Sequence, residues 1–178
     1  MKISILLLTV VMVLPAFSQW TRTTGPEGVA ISSLASINGV VYAGTKVGGV
    51  FVSSDDGMNW TASNTGIETY DVRGIVSKPG YLFAATFGGG VYRSTDEGQT
   101  WIAPANGTNF AVESIVIDDE YIFAATISQG VQRSSDNGVT WEPKLTGLFG
   151  FGAICKSGNK VIASSSNYTL ESTDQFSP

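Results

Sequence analysis

Short apolar runs alternate with turn residues along most of the chain, and similar runs return at an even spacing. YLFAAT (Tyr81–Thr86) and YIFAAT (Tyr121–Thr126) are nearly identical, VVYAGT (Val40–Thr45) matches them, and KVIASS (Lys160–Ser165) is a looser copy. Apolar runs of this length, bounded by Gly, Pro, Asn and Ser, predict β-strands. Because no helical periodicity follows the N-terminal segment, the pattern predicts an all-β chain.

Each of these runs is the second of four predicted strands in a repeating unit, and we name the four strands A to D. Strand A reads VAISSLASI, DVRGIVS, AVESIVI or FGAICKS, strand C reads GVFVS, GVYRS or GVQRS, and strand D begins at a tryptophan. Four short strands in about 40 residues are typical of a β-propeller blade, which needs neighbouring blades to bury both its faces. The B runs lack polar alternation, which predicts strands covered on both sides near a crowded axis. The sequence therefore predicts a β-propeller of four-stranded antiparallel blades.

About four blades are present, and the sequence leaves two arrangements open. Trp20 lies one repeat length before Trp60, so an N-terminal D strand would complete the fourth blade and close a small ring. Alternatively, the chain is a truncated part of a larger propeller, since it ends within a degenerate copy of a motif at Ser172.

That motif, S-[ST]-D-x-G-x-[NT]-W, occurs intact three times and recurs at the same spacing as the strands. It lies between strands C and D, so we interpret it as a hairpin turn. The Asp and Ser side chains accept bonds from backbone N–H groups one or two residues on, Gly supplies a positive φ, and Trp packs on the neighbouring blade. The predicted structural residues are Ser53, Asp55, Gly57, Trp60, Ser94, Asp96, Gly98, Trp101, Ser134, Asp136, Gly138 and Trp141.

The acidic motif also raises the possibility of a calcium site or a catalytic carboxylate. A calcium loop of the EF-hand type needs an acidic residue at position twelve, where this chain has Gly66, Gly107 and Gly147. Equal groups on three different blades are too far apart to act as a catalytic pair. The chain has no histidine and one cysteine, which excludes Ser-His-Asp sites and the usual zinc cages. We therefore predict no metal, no cofactor and no catalytic residue.

The N-terminal segment 1–18 predicts a signal peptide. Met1 and Lys2 precede an apolar run from Ile3 to Leu14, and small residues lie at −3 and −1 of a cut after Ser18. The propeller domain is then 19–178, and the net charge of −5 becomes −6 once Lys2 leaves. The chain has no basic run, so we predict no nucleic-acid partner. It has no second long apolar run, so we predict no membrane span after signal cleavage. We expect a secreted, periplasmic or cell-surface protein.

The repeated motif resembles the Asp-box (BNR) repeat family, over nearly all of the predicted mature chain. The family includes sialidases, xyloglucan-active glycosidases, sortilin-type receptors and photosystem II assembly-factor-like proteins. The resemblance implies that the box is a structural turn on the propeller face opposite the active site.

The enzymatic members of the family imply residues that can be sought here. Sialidases imply three arginines, a Tyr nucleophile with a Glu partner, an acid Asp and a Phe-Arg-Ile-Pro type motif, which is absent. Of the four arginines, Arg93 and Arg133 occupy one equivalent repeat position, which is typical of repeat structure. Xyloglucanase-like enzymes imply two propellers, which a domain over 19–178 cannot supply. We therefore interpret the chain as non-enzymatic.

The loops between strands D and A and between B and C form the face opposite the motif. Aromatic residues at these loops are candidate binding residues for a protein or carbohydrate partner, namely Tyr70, Phe87, Phe110, Phe149 and Phe151. The alternative is that some of them pack back between blades. The leading hypothesis is a secreted, non-catalytic scaffold that binds a protein or glycan. The second is a fragment of a secreted glycosidase whose catalytic residues are absent.

Overall fold

The computed structural model describes residues 23, 25–106, 110–118 and 120–172. The predicted signal peptide, Trp20 and the end of the degenerate motif (173–178) lie outside these ranges. The described residues form strands and turns, and none of them lies in a helix that could cross a membrane. The strands are β1 (Ile31–Ile37), β2 (Val40–Thr45), β3 (Gly49–Ser53), β4 (Thr61–Ala62), β5 (Val72–Lys78), β6 (Tyr81–Thr86), β7 (Gly90–Ser94), β8 (Val112–Ile117), β9 (Ile122–Thr126), β10 (Val131–Ser134), β11 (Glu142–Leu145), β12 (Phe151–Ser157), β13 (Lys160–Ser165) and β14 (Thr169–Glu171).

These strands form four antiparallel sheets in which each strand pairs with the next along the chain. The orders are β1-β2-β3-β4, β5-β6-β7, β11-β10-β9-β8 and β12-β13-β14. In the second sheet the fourth strand is reduced to a single bridge between Arg93 and Ile102. The prediction of an all-β fold with about four blades is confirmed, and the strands fall where the A to D pattern placed them.

The threonine that ends each full B run has a structural reason. The Oγ1 of Thr45 donates to the carbonyl oxygen of Gly49 at 2.9 Å and accepts from the N–H of Gly48 at 3.0 Å. Thr86 and Thr126 make the same pair of bonds, and all three side chains are buried. Each hydroxyl therefore closes the tight turn into strand C while its own polar group is satisfied.

Three hydrophobic clusters hold neighbouring blades together. Tyr42 of the first blade packs with Val72 and Leu82 of the second, and Phe83 of the second packs with Val112 of the third. A third cluster joins the third and fourth blades. Burying one such side chain contributes roughly 1.5–3 kcal/mol, so these interfaces are the main source of stability. The B strands of the second and third blades, β6 and β9, are covered on both faces as predicted, whereas β13 of the fourth blade is partly exposed.

The strands nearest the axis are the A strands, which corrects the sequence-based placement of the B strands there. The A strands of successive blades pack on each other, β1 on β5, β5 on β8 and β8 on β12. Hydrogen bonds tie them together, with the Ile75 N–H donating to Ser33 Oγ at 2.9 Å and the Ile154 N–H to Ser114 Oγ at 3.3 Å. Full coverage of the B strands comes instead from their position inside each blade.

The first and fourth blades share no such packing among the described residues. Ile31 and Leu34 of β1 are exposed, whereas the residues at the same register in the second blade, Val72 and Ile75, are buried against the preceding blade. The described residues therefore form an open series of four blades. Ring closure through Trp20 concerns residues outside the described ranges.

Two glycines with similar backbone angles allow a test of how close the blades are. Gly66 (φ +92°) and Gly80 (φ +80°) both need the left-handed region, but only at Gly66 would a Cβ overlap the backbone carbonyl oxygen of Trp101. We expect Gly80→Ala to cost about 1–2 kcal/mol in the free energy of unfolding. Gly66→Ala should cost about 2 kcal/mol more, because the inter-blade contact must open. Urea unfolding of both variants measures the difference, and equal losses would contradict the contact.

Candidate functional site

The antiparallel order of the strands gives each blade two different ends. Turns between A and B and hairpins between C and D lie at one end, which we call the hairpin face. Turns between B and C (46–48, 87–89, 127–130) and connections between D and A (63–71, 103–106 with 110, 146–150) lie at the other, the loop face. On the hairpin face, the Tyr42 hydroxyl donates to the Glu97 carbonyl oxygen at 2.9 Å, which joins one blade to the next hairpin.

The three repeated hairpins have the same internal hydrogen bonds. In the first, Ser53 Oγ accepts from the Gly57 N–H at 2.9 Å and donates to Asp55 Oδ1 at 2.8 Å, and Asp55 Oδ1 also accepts from the Asn59 N–H at 2.8 Å. The second and third repeat this geometry. The predicted bond to an N–H one or two residues on holds for Ser, since Ser53 Oγ also accepts from the Asp55 N–H at 3.4 Å. It is wrong for Asp, because Asp55 Oδ1 accepts from the N–H four residues on.

Two consecutive residues of each hairpin have a positive φ. The predicted glycines Gly57, Gly98 and Gly138 have φ of 84°, 82° and 77°, and the residues before them, Asp56, Glu97 and Asn137, have φ of 56–57°. The sequence prediction identified only the glycines. A double left-handed turn directs the backbone N–H groups towards the Ser and Asp oxygens, which explains why the donors lie further along the chain than predicted.

The motif carboxylates are held ionised by these bonds. The Asn59 side chain and backbone N–H lower the pKa of Asp55 to about 2, and the Thr100 hydroxyl and N–H likewise lower the pKa of Asp96. Burial raises the pKa of Asp136, but bonds from Thr140 and Ser134 outweigh it and the pKa is lowered. Both oxygens of each carboxylate accept from the hairpin itself, so the carboxylates act within the turn. The described residues contain no group of three or more His, Cys, Asp or Glu arranged to hold a metal ion.

The motif tryptophans join the hairpins to neighbouring blades. Trp101 is buried between the first and second blades, where its Nε1–H donates to the Ser63 carbonyl oxygen at 2.8 Å. Trp141 is buried between the second and third blades, and its Nε1–H has no acceptor among the described residues. Trp60 is half-buried and donates to Gly57 of its own hairpin at 3.0 Å, since no preceding blade lies beside it in the described part of the chain.

Backbone hydrogen bonds connect the loop face from blade to blade. The Gly49 N–H donates to the Tyr70 carbonyl oxygen at 3.0 Å, and the Phe87 N–H donates to that of Asp71 at 2.8 Å. Further along, the Ile127 N–H donates to Ala111 at 3.1 Å and the Gly150 N–H donates to Ile127 at 2.7 Å. Each turn is therefore fixed against the next connection, and the side chains between these bonds are presented on a continuous surface.

The five predicted binding aromatics divide into two groups. Tyr70 (50% exposed), Phe87 and Phe149 (62% exposed) are accessible on the loop face. Phe110 (1%) and Phe151 (0%) are buried, which corrects their prediction as binding residues. Phe110 packs edge-on against Trp141, and Phe151 starts β12 inside the cluster between the third and fourth blades. For these two, the alternative of packing between blades is the observed one.

The loop face also carries exposed apolar residues that the sequence prediction missed, Val47, Ile127 and Leu148. Of the ten large apolar side chains that are exposed among the described residues, six lie on the loop face, whereas Met58 alone lies on the hairpin face. Among the apolar residues, the sequence prediction considered the aromatic ones, and the aliphatic residues at the same turns were the signal that could have found the rest.

A cluster of charges on the loop face is internally paired. The Arg73 guanidinium bonds Asp71 at 2.7 and 2.9 Å, forms an ion pair with Glu113 of the next blade at 3.1 Å, and lies 4.6 Å from the Phe87 ring centre. The hydrogen bonds that Arg73 donates to Asp71 raise the pKa of Arg73 above its usual range, although burial opposes this. The guanidinium therefore connects two blades and supports Phe87.

A cavity of about 350 Å³ lies at the third blade. Its described lining combines hydroxyl and amide side chains with aromatic and apolar groups, and it contains no charged side chain. The lining residues are Ser128, Gln129, Gln132, Trp141, Pro143, Thr146, Gly147 and Phe149. Of the five predicted binding aromatics, Phe149 is the one that takes part.

Comparison with known proteins places the chain by fold. No family model matches the sequence, and no curated protein matches it. The structure resembles the extracellular domain of a hybrid two-component system from B. thetaiotaomicron (TM-score 0.71, 13% identity), covering 90% of this chain and 22% of that one. It also resembles an ancestral GH74 enzyme (TM-score 0.68, 18% identity), covering 82% of this chain and 23% of that one. A third neighbour is YCF48 bound to D1 peptide (TM-score 0.55, 14% identity), with 79% of this chain and 50% of that one covered.

These neighbours include β-propeller proteins, and the four sheets described above fit four blades. The chain is therefore an all-β protein built from propeller blades. It spans less than a quarter of the length of the first two neighbours and half of the third.

The hairpin bonds predict a loss of stability at a buried hydroxyl. Ser94 is buried and makes bonds to Asp96 and Gly98, whereas Thr95 beside it is exposed. Ser94→Ala should lower the free energy of unfolding by about 1–3 kcal/mol, because it leaves the Gly98 N–H without an acceptor. Thr95→Ala should change it by less than about 0.5 kcal/mol. Denaturant unfolding of the pair is the measurement, and a Ser94→Ala variant as stable as Thr95→Ala would argue against this role.

The lowered pKa of Asp55 predicts a pH-dependent contribution to stability. Since the folded pKa of about 2 lies below the unfolded value near 3.8, the contribution is complete above about pH 4 and lost as pH falls towards 2. The difference in melting temperature between wild type and Asp55→Asn should therefore be largest at pH 5–7 and shrink towards pH 2. Asp56→Asn, which changes the adjacent exposed carboxylate, is the control. A difference independent of pH would disprove the ionised role of Asp55.

Proposed function

We propose that this protein is a secreted, non-catalytic β-propeller whose loop face binds a protein or a glycan. The observation that carries the proposal is the concentration of exposed apolar side chains on that face. Tyr70, Phe87 and Phe149 are accessible there together with three aliphatic residues. Exposed apolar groups held on a fixed backbone are typical of binding surfaces, because little conformational entropy is lost when a partner covers them.

The proposal places the chain in the Asp-box family. Its support is the sequence motif together with the three hairpins, whose Ser, Asp and Gly make equivalent bonds in every copy. Each motif carboxylate is occupied within its own turn, so the motif acts as scaffold and the hairpin face is not the binding face. Secretion is supported by the N-terminal apolar segment and by the neighbour that is an extracellular domain.

Binding of a protein segment is supported by the neighbour YCF48, which was solved bound to D1 peptide. The alternative function is that of a glycosidase fragment, for which the GH74 neighbour is the supporting observation. Over the described residues, the Arg73 side chain is engaged by two carboxylates, which leaves it poorly placed to hold the carboxylate of a substrate. The non-catalytic function therefore accounts for more of the observed contacts.

The proposal predicts that binding depends on the loop face. The purified chain would be applied to arrays of peptides and of oligosaccharides, and the affinity for any ligand found would be measured by calorimetry. Tyr70→Ala and Phe149→Ala together should weaken binding at least about tenfold, as expected when exposed aromatic anchors are removed. Met58→Ala, an exposed apolar residue of the hairpin face, should change affinity by less than about twofold.

The same protein tests the alternative function. Xyloglucan and chromogenic glycosides would be incubated with the wild type and with Asp71→Asn, which alters a loop-face carboxylate. Turnover by the wild type that is lost in Asp71→Asn would contradict the non-catalytic function. Binding that is lost in Met58→Ala and kept in the loop-face variant would contradict the choice of face.

A further inference from the structure

One position of strand C has an aromatic side chain in the first two blades and an amide in the third. Phe51, Tyr92 and Gln132 each lie opposite an alanine of strand B at the same register. Tyr92 fills this place in the second blade, and its hydroxyl accepts from the Glu68 N–H of the preceding connection at 3.3 Å. The third blade has an amide instead, and the cavity of about 350 Å³ lies beside it.

The third blade buries an amide beside the cavity. The Gln132 side chain is 3% exposed, and its Nε2–H donates to the Gln129 carbonyl oxygen at 2.7 Å. Blade packing alone would favour an aromatic residue here, as in the other two blades. A second polar group lines the same cavity, because the Nε1–H of Trp141 is buried and has no acceptor among the described residues. A buried donor without an acceptor is unfavourable, and a ligand oxygen in the cavity would pair with it.

The cavity wall contributed by the connection 146–150 is held in place. The Gly150 N–H donates to Ile127, and the Tyr168 hydroxyl donates to the Phe149 carbonyl oxygen at 3.2 Å. The Phe149 ring is therefore exposed on an anchored backbone. Hydroxyl and amide groups around the same space come from Ser128, Gln129 and Thr146.

We propose that this cavity binds a neutral sugar ring, an inference that rests on the loop face being the binding face. A pyranose has an apolar C–H face, which suits the aromatic walls, and hydroxyl groups at its edge. A sugar hydroxyl can both donate and accept a hydrogen bond, and the Gln, Ser and Thr side chains of the cavity also provide both donors and acceptors. The volume lies within the range of ligand pockets, roughly 300–1,000 Å³.

The composition of the cavity favours a sugar over a peptide. A peptide on a sheet edge is held by a row of backbone groups, whereas here side-chain amides and hydroxyls line one open cleft. The described lining has no charged side chain, so an acidic sugar or a charged peptide would lose hydration without gaining an ion pair. The sugar is therefore expected to be uncharged.

The test uses the full chain and an immobilised panel of neutral oligosaccharides built from glucose, galactose, mannose and xylose, beside sialylated glycans and a peptide library. Gln132→Tyr places the residue of the second blade in the cavity, and Phe149→Ala removes the exposed ring. Each should weaken binding of the neutral glycan at least tenfold in calorimetry. Tyr70→Ala, on the same face and outside the cavity lining, should weaken it less than threefold, and Met58→Ala on the hairpin face is the unaffected control. Thermal unfolding checks that each variant is folded.

The outcomes separate this inference from the proposed function. Loss of neutral-glycan binding in Phe149→Ala and Gln132→Tyr, with binding retained in Tyr70→Ala, supports the sugar site. No neutral glycan bound, with a peptide bound through Tyr70 and Phe87, overturns the sugar site and leaves the loop-face function standing. No ligand of either class on the loop face overturns both. If neither cavity variant weakens glycan binding, the cavity is not the sugar site, and the loop-face function still stands.

Discussion

The structure depends on the packing of one blade against the next, because a four-stranded blade cannot bury both of its faces by itself. Tyr42 and Phe83 point from their B strands into the following blade, where they meet the glycines of the next hairpin, Gly98 and Gly138. Trp101 adds a hydrogen bond across the same kind of interface. A hairpin glycine therefore meets two requirements, a positive φ and room for an aromatic ring from the neighbouring blade.

This arrangement separates stability from recognition. The hairpin face uses its polar groups internally, so Asp55, Asp96 and Asp136 are ionised and paired within their own turns. The loop face is fixed mainly by backbone bonds, such as those of Phe87 and Gly150, which leave the side chains free to vary. Residues on such a face can change without loss of the fold, which is why the exposed apolar side chains are informative there.

The sequence was sufficient for the features that repeat. The strand pattern, the hairpin position and the burial of Trp101 and Trp141 follow from periodicity, turn chemistry and size. It was insufficient for Phe110 and Phe151, because an aromatic residue beside a loop can point either way and its type alone does not decide. Alignment of the strand registers would have helped, since Phe151 occupies the position of the buried Val72 and Val112. The i to i+4 bonds of the hairpin were missed because they need a second left-handed residue that has no glycine to mark it.

Departures from the repeat are where function is best sought in such a chain. A residue that recurs in every blade, such as Asp96, is accounted for by the blade, since each copy has the same neighbours and the same bonds. A residue that differs in one blade only is not explained by the repeated structure. Gln132 is the clearest case, because it replaces an aromatic side chain and remains buried beside a cavity. Packing alone favours the aromatic residue at that register, and a bound hydroxyl group that bonds the polar side chains of the cavity would offset the difference.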